Sequence, residues 1–444
     1  MTDLLRQGTR RGWALASAAL LCALALAAAS RPADAASAAA SGADPAAWPM
    51  RGYDPAHTGD NAGQHGLGPT VARTLRLRGR YAFGNEVVAS PAVRAGTAYV
   101  NVYSSGLYSY VDALALTGPG APRLLWQAAT AGYGCNISSP AIGGGLLYAG
   151  AGCIGGALFA LRTSSGQVAW STPLAGAVSS SPIVADRVVY VTSDDAAGQD
   201  GRLYAIDGRT GTVIWTARLG AAPNQSSPAL SGGIVFTGAQ DGRLYAFDVA
   251  TGRRLWTAST GGPFAGSPAA ARGLVFAGSE DGSVYAFAAG SGRVRWVVKT
   301  GGPVVSSPAV DRSTVYVGSD DHGLYALAAA TGARRWRADL RGAVIAGPAL
   351  ADGVVYAAAA GGQVAAVRQS TGAVLWRGTT VGVLPSSPVV ADGMILADAY
   401  GPSYLIGTLS IWAPGTAGRG AATGSVANAG RCRILGKLGA ANRG

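Results

Sequence analysis

Pro228, Pro268, Pro308, Pro348 and Pro388 stand 40 residues apart, and Trp256, Trp296, Trp336 and Trp376 keep the same step. Between them one phrase recurs: Ser-Ser-Pro-Ala-Val, an apolar pair, Asp-Gly, Leu-Tyr-Ala-Leu, then Thr-Gly-x-x-x-Trp. In the sixth copy the apolar segments are residues 304–310, 315–317, 324–327 and 334–337. Asp311-Arg312-Ser313, then Asp320-Asp321-His322-Gly323, then Thr331-Gly332 separate them. Short apolar runs parted by turn formers are strands. The Asp-Gly pairs at Asp241-Gly242 and Asp281-Gly282 supply the positive φ that a tight hairpin needs. A repeat of this length with four strands is a propeller blade. Counting the proline step at Pro91, Pro140, Pro182, Pro228, Pro268, Pro308, Pro348 and Pro388 gives eight blades. The expected fold is therefore all-β, an eight-bladed propeller of four-stranded antiparallel blades.

Proline cannot donate to a sheet ladder. Its place at the start of each unit fits a first strand that lines the central channel with a neighbour on one side only, and the serine beside it can bond backbone there. The eighth unit lacks a Thr-Gly-x-x-x-Trp fourth strand. Residues 74–81, ahead of the first unit, have the pattern of one. They are expected to cross over, complete the last blade and remove its open edge.

In a chain of 444 residues with 67 glycines, charged residues make up only 13 %. That suits short strands and tight turns rather than disorder. Much of the excess in the formal charge of +12 sits at the two ends, around Arg6, Arg10, Arg11 and around Arg431, Arg433, Lys437. With no lysine-rich patch or basic helix, nucleic acid is not an expected partner. Residues 1–35 read as an export signal: a basic start, an uncharged run from Trp13 to Ala29, and an Ala33-Asp34-Ala35 cleavage candidate. Thr9 to Leu15 faintly resembles a twin-arginine signal. An uncleaved anchor is the other alternative, although no second apolar run follows and no span is expected once the signal is removed. Residues 36–70 are assigned to a flexible spacer and a leader that begins Trp-Pro-Met, 71–413 to the propeller, and 414–444 to a disordered basic tail. The expected location is periplasmic or extracellular, and the expected state a monomer.

Cys135 and Cys153 lie symmetrically about Gly144 in a Gly-Gly-Gly turn. Opposed across a hairpin, they would form a disulfide in an oxidising compartment, the alternative being two buried thiols.

The units from Tyr204 to Trp215, Tyr245 to Trp256, Tyr285 to Trp296 and Tyr325 to Trp336, with the Trp-Pro-Met leader, resemble the PQQ-repeat propellers. That family includes quinoprotein alcohol dehydrogenases and a propeller lipoprotein of bacterial outer-membrane assembly. The resemblance implies that Trp170, Trp215, Trp256, Trp296, Trp336 and Trp376 dock each blade onto the next, and a flat side chain sealing the wedge between two twisted sheets makes physical sense. A tryptophan stripe for sugar binding is the alternative. The family name also brings PQQ and calcium. However, the adjacent-cysteine pair of its dehydrogenases and the Cys-x-x-Cys-His haem motif are both missing here. Its calcium ligands cannot be placed residue by residue.

Function should lie where the units differ. Upstream of the Ser-Pro step most units carry apolar residues, such as Val304-Val305. Three carry Asn85-Glu86, Asn136 and Asn224-Gln225. Glu86, Asn136, Asn224 and Gln225 are therefore candidates for a polar pocket at one channel mouth, solvated loop polarity being the alternative. No catalytic constellation accompanies them, since His57, His65 and His322 are scattered. The sequence points to an exported, non-catalytic scaffold with no cofactor that binds a protein partner in the cell envelope. A quinoprotein-type oxidoreductase with an atypical site is the alternative.

Overall fold

Seven repeat units each close into one antiparallel sheet, and an eighth sheet drawn from both ends of the chain completes the ring. The computed structural model describes residues 47–415 and 427–428, apart from 88, 104–108, 131–137, 153–154, 195–199, 224, 401–406 and 416–426. Cys135, Cys153, Asn136, Asn224 and the export signal lie outside the described residues. Blade six shows the plan: Ala309–Val310 innermost, then Thr314–Gly318, Gly323–Ala328 and Arg334–Asp339 outermost. The first strands are short and the two middle strands carry the buried apolar residues. In Gly323–Ala328 burial holds along almost the whole strand, because both of its faces are covered by neighbouring blades.

Blade eight is assembled from both ends of the chain. Val389–Ala391, Met394–Tyr400 and Gly407–Pro414 supply three strands. Leu75–Ala82 pairs antiparallel with Gly407–Pro414 as the fourth, from Leu75 opposite Pro414 to Ala82 opposite Thr408, with the register shifting between Leu77 and Gly79. The crossover read from residues 74–81 is thus the strand that closes the ring. Ala427–Asn428, within the stretch read as a tail, adds a short parallel pairing with Tyr81 and Ala82. Among the described residues, no helix is long and apolar enough to cross a membrane.

The tryptophans explain the spacing of the fourth-strand phrase. The indole N–H of Trp215 donates to Val249 O (3.0 Å), and that of Trp256 to Ala289 O (2.9 Å). Trp296 reaches Ala329 O (2.9 Å) and Trp336 reaches Gln369 O (2.9 Å). Trp126 and Trp170 make the same bond to Thr163 O and Gly208 O, both at 3.1 Å. Every acceptor belongs to the following blade and sits just ahead of its last turn. Trp376 bonds Leu75 O (3.1 Å), so the closing strand takes the place of a next blade's turn. Within their own blades the other six rings lean on the aromatic of the second strand, as Trp336 on Tyr316 with centroids 5.8 Å apart, whereas Trp376 meets Trp412 of blade eight edge-on.

A second ladder runs nearer the axis. The N–H of Ser90 donates to Ser139 Oγ, Ser139 to Ser181, and Ser181 to Ser227, each at 2.9 Å. Ser227 continues to Ser267 (3.0 Å) and Ser267 to Ser307 (2.9 Å). In blade seven Gly347 replaces the serine, and its own N–H donates to Ser387 Oγ (3.0 Å). Gly347 has no hydroxyl to offer blade six, so the ladder breaks between those two blades.

Candidate binding sites in and around the channel

The open inner edge expected of the first strands is not open. Residues 47–64 of the leader run across it and supply its missing acceptors. Val93 N–H and Trp48 O bond at 2.8 Å, as do Trp48 N–H and Val93 O. Ile142 N–H then donates to Pro49 O (2.7 Å), Leu230 to Pro55 O (2.7 Å) and Ala270 to Ala56 O (2.9 Å). Val310 donates to Thr58 O (2.7 Å) and Leu350 to Gly59 O (2.7 Å). In each blade the donor is the second residue after the proline. Asn61, fully buried, finishes the circuit by donating through Nδ2 to Val390 O (3.0 Å) and Ala47 O (3.2 Å). An unpaired buried N–H is costly, so a segment that meets seven blades from the centre is part of the fold. The leader leaves past blade seven, where Leu67 O accepts from Tyr356 Oη (2.9 Å).

Polar side chains of the leader are thereby carried to the axis. The carboxylate of Asp54 accepts from Thr58 N–H (2.9 Å) and Thr58 Oγ1 (2.5 Å), which fixes a tight turn. His57, with φ +56° and 2 % exposed, lies in that turn. Its Nδ1 is 3.2 Å from Pro268 O. A carbonyl only accepts, so Nδ1 carries the proton and Nε2 is a bare lone pair. Burial and the nearby Arg51 charge push His57 down to about 3, which keeps the ring neutral. The Arg51 guanidinium donates through Nη2 to Ser307 Oγ (3.3 Å), at the ladder break. Burial alone lowers its pKa, with no carboxylate offsetting it. Asp60 is pushed up to about 6 by burial and by Asp311 and Asp54. Between leader and blades a cavity of about 20 Å³ remains, room for one water-sized centre.

The residues chosen from the sequence meet different fates. Glu86 is half-buried, exchanges backbone hydrogen bonds with Tyr103 (3.0 and 2.8 Å), and has its carboxyl raised by burial. Its neighbour Asn85 donates to Tyr110 Oη (2.7 Å). Gln225 is exposed. The turn acids are engaged structurally: Asp281 accepts from Gly261 N–H (2.9 Å) and Tyr285 Oη (2.5 Å).

One set of polar residues escaped the sequence reading. In the second strand Gly150, Gly238, Gly278 and Gly318 face the next blade at equivalent positions, and an added Cβ would meet Val178, Phe264, Val304 or Val344. Blades one, three and eight carry Asn101, Thr192 and Asp398 there. Asn101 Nδ2 donates to Ser138 O (2.5 Å) and Thr192 Oγ1 to Ser226 O (3.3 Å). Asp398 is fully buried, neither carboxyl oxygen has a partner among the described residues, and burial raises its pKa well above the usual range. The signal was available as a break in the repeat, but inside a strand rather than in the loop ahead of the proline.

The larger opening is a groove of about 550 Å³ between blades five and six, on the face carrying the turns between their first and second strands. Leu274, Phe276, Val310 and the alanines at 328–330 floor it, and Arg272, Arg312 and Arg335 rim it. Nearby Asp311 is occupied by Thr314 N–H (2.7 Å), Tyr316 Oη (2.9 Å) and Gln369 Nε2 (2.6 Å). The groove is thus apolar below and cationic above, with no carboxylate in its lining.

Residues 110–199, 199–320 and 301–402 match the PQQ_2 repeat family, described as outer membrane protein assembly factor BamB. The chain belongs to this family. It is 33 % identical over 85 residues to the outer membrane protein assembly factor BamB of Yersinia pestis, a match that spans 18 % of this chain and 20 % of that protein. BamB from Moraxella catarrhalis superposes with a TM-score of 0.60 at 20 % identity, covering 76 % of this chain and 97 % of that one. A europium-containing methanol dehydrogenase superposes with 0.68 at 15 % identity, covering 83 % and 98 %. At these identities the superpositions establish the propeller and leave its activity open.

The axial cavity does not suit a calcium-held quinone. Its charged lining group is a guanidinium, whereas calcium takes carboxylate and carbonyl oxygens. A ligand of that size also needs a pocket of about 300 Å³ or more.

Proposed function

We propose that this propeller is a non-catalytic scaffold of the cell envelope that binds a protein partner through its outer faces. One observation supports this above the others: the chain's own leader occupies the axis and the inner strand edges. Ligands are then left to the turn-bearing faces, where the groove between blades five and six offers an apolar floor under three arginines. Such a surface suits a segment that presents carboxylates beside apolar side chains. The family described as an assembly factor is consistent with this reading.

The test has two arms. A photo-crosslinking amino acid at Arg312 should capture a defined envelope protein that one at the outer-strand residue Leu124 does not. Charge reversal at Arg272 and Arg335 should abolish the adduct. In the second arm the purified chain is incubated with PQQ and calcium and assayed by dye reduction across alcohols and sugars. Quinone-dependent turnover would overturn the proposal in favour of an oxidoreductase, as would the absence of any groove-specific adduct.

A further inference from the structure

The cavity beside Arg51 has more donors than acceptors. Among the described residues Arg51 makes one hydrogen bond, from Nη2 to Ser307 Oγ, while its Nε is enclosed and unpartnered. Ser307 Oγ also accepts from Ser267 N–H, and Ser387 Oγ accepts from Gly347 N–H. Both hydroxyl protons are therefore left to donate, and both serines line the cavity. Among the lining side chains the acceptor opposing them is His57 Nε2, likewise enclosed and unpartnered. No carboxylate is in the lining. Arg51 is only partly exposed, and a cation partly withdrawn from water gains more from an anion than from a neutral water, which donates as often as it accepts.

We propose that this cavity is a halide site, holding one chloride ion against the Arg51 guanidinium and the hydroxyls of Ser307 and Ser387. The volume of about 20 Å³, room for one water-sized centre, suits a monoatomic anion. The site stands where the serine ladder breaks at Gly347, so the ion replaces a missing ladder contact with a charged one. Arg51 belongs to the leader and the serines to the blades. Chloride therefore pins the leader in the ring and makes its seating depend on the anion present rather than on ionic strength.

Crystals of the full chain grown in sodium bromide should show an anomalous peak within hydrogen-bonding distance of the Arg51 guanidinium. In solution the melting temperature should rise with the logarithm of chloride concentration against sodium gluconate at equal ionic strength. The Arg51→Gln chain should lose that response, and the exposed outer-strand control Arg295→Gln should keep it. An empty anomalous map at Arg51, equal melting in the two salts, or an undiminished response in Arg51→Gln would each overturn the assignment. Should Arg51→Gln not fold, the bromide map and salt comparison on the unaltered chain still decide.

Discussion

At the level of single residues, the Thr-Gly-x-x-x-Trp phrase combines two requirements at one glycine. Gly252 has φ +70°, and a Cβ there would lie 2.6 Å from Trp215 Cε3 of the preceding blade. Gly232 has φ +59° with nothing within 4 Å of an added Cβ. Alanine at Gly232 should cost only the left-handed strain, about 1–2 kcal/mol. At Gly252 it must also displace the indole from Val249 O, for a total of about 2–5 kcal/mol. Urea unfolding of the two variants side by side checks the difference. Asp112 gives a pH test. Buried in blade one and bonded by Gln127 Nε2 (2.9 Å), it is pushed up to about 7 by burial. Its folded pKa lies above the unfolded value of about 4, so the native state binds the extra proton between them. The stability it lends is full below about pH 4 and is lost as pH rises through about 7. Asp112→Asn should flatten the fall in urea midpoint between about pH 5 and about pH 8.

Among the elements, the leader is the one whose role differs most from its appearance in sequence. Its turn-rich composition reads as a connector, and it has no apolar periodicity to mark it as structure. Paired against six first strands through their own N–H groups, it behaves as a shared ninth element of the sheet system. Removing residues 47–64 should lower the melting temperature. It should also convert the amides of Val93, Ile142, Leu230, Ala270, Val310 and Leu350 from slow to fast hydrogen exchange. Unchanged protection at those amides would show that the leader is dispensable. A gentler probe is Asn61→Ala, which removes two buried bonds and leaves Val390 O unpaired, a loss of about 1–3 kcal/mol read by chemical denaturation.

For the molecule as a whole, closure depends on one strand. Leu75–Ala82 covers the edge of Gly407–Pro414 and offers Leu75 O to Trp376, so it closes both a sheet and a blade-to-blade seam. A chain beginning after Ala82 would expose that edge, and bare edges pair with other chains. Light scattering after size exclusion should find dimers or larger species where the full chain elutes smaller. Equal mass for both would refute the role assigned to the strand.

The sequence by itself determined the number of blades, the strands of each, the closing strand and the tryptophan positions. All of these follow from local alternation and turn residues repeated at a fixed period, and repetition makes a local signal unambiguous. Only the tertiary structure decided where the leader runs and what its polar side chains meet. Arg51 reaches Ser307 across 256 positions and His57 reaches Pro268 across 211, contacts with no period and no local pattern. The burial of Asp398 was hidden for a related reason: at the equivalent glycines the facing neighbour is the next blade, a contact that no local pattern marks.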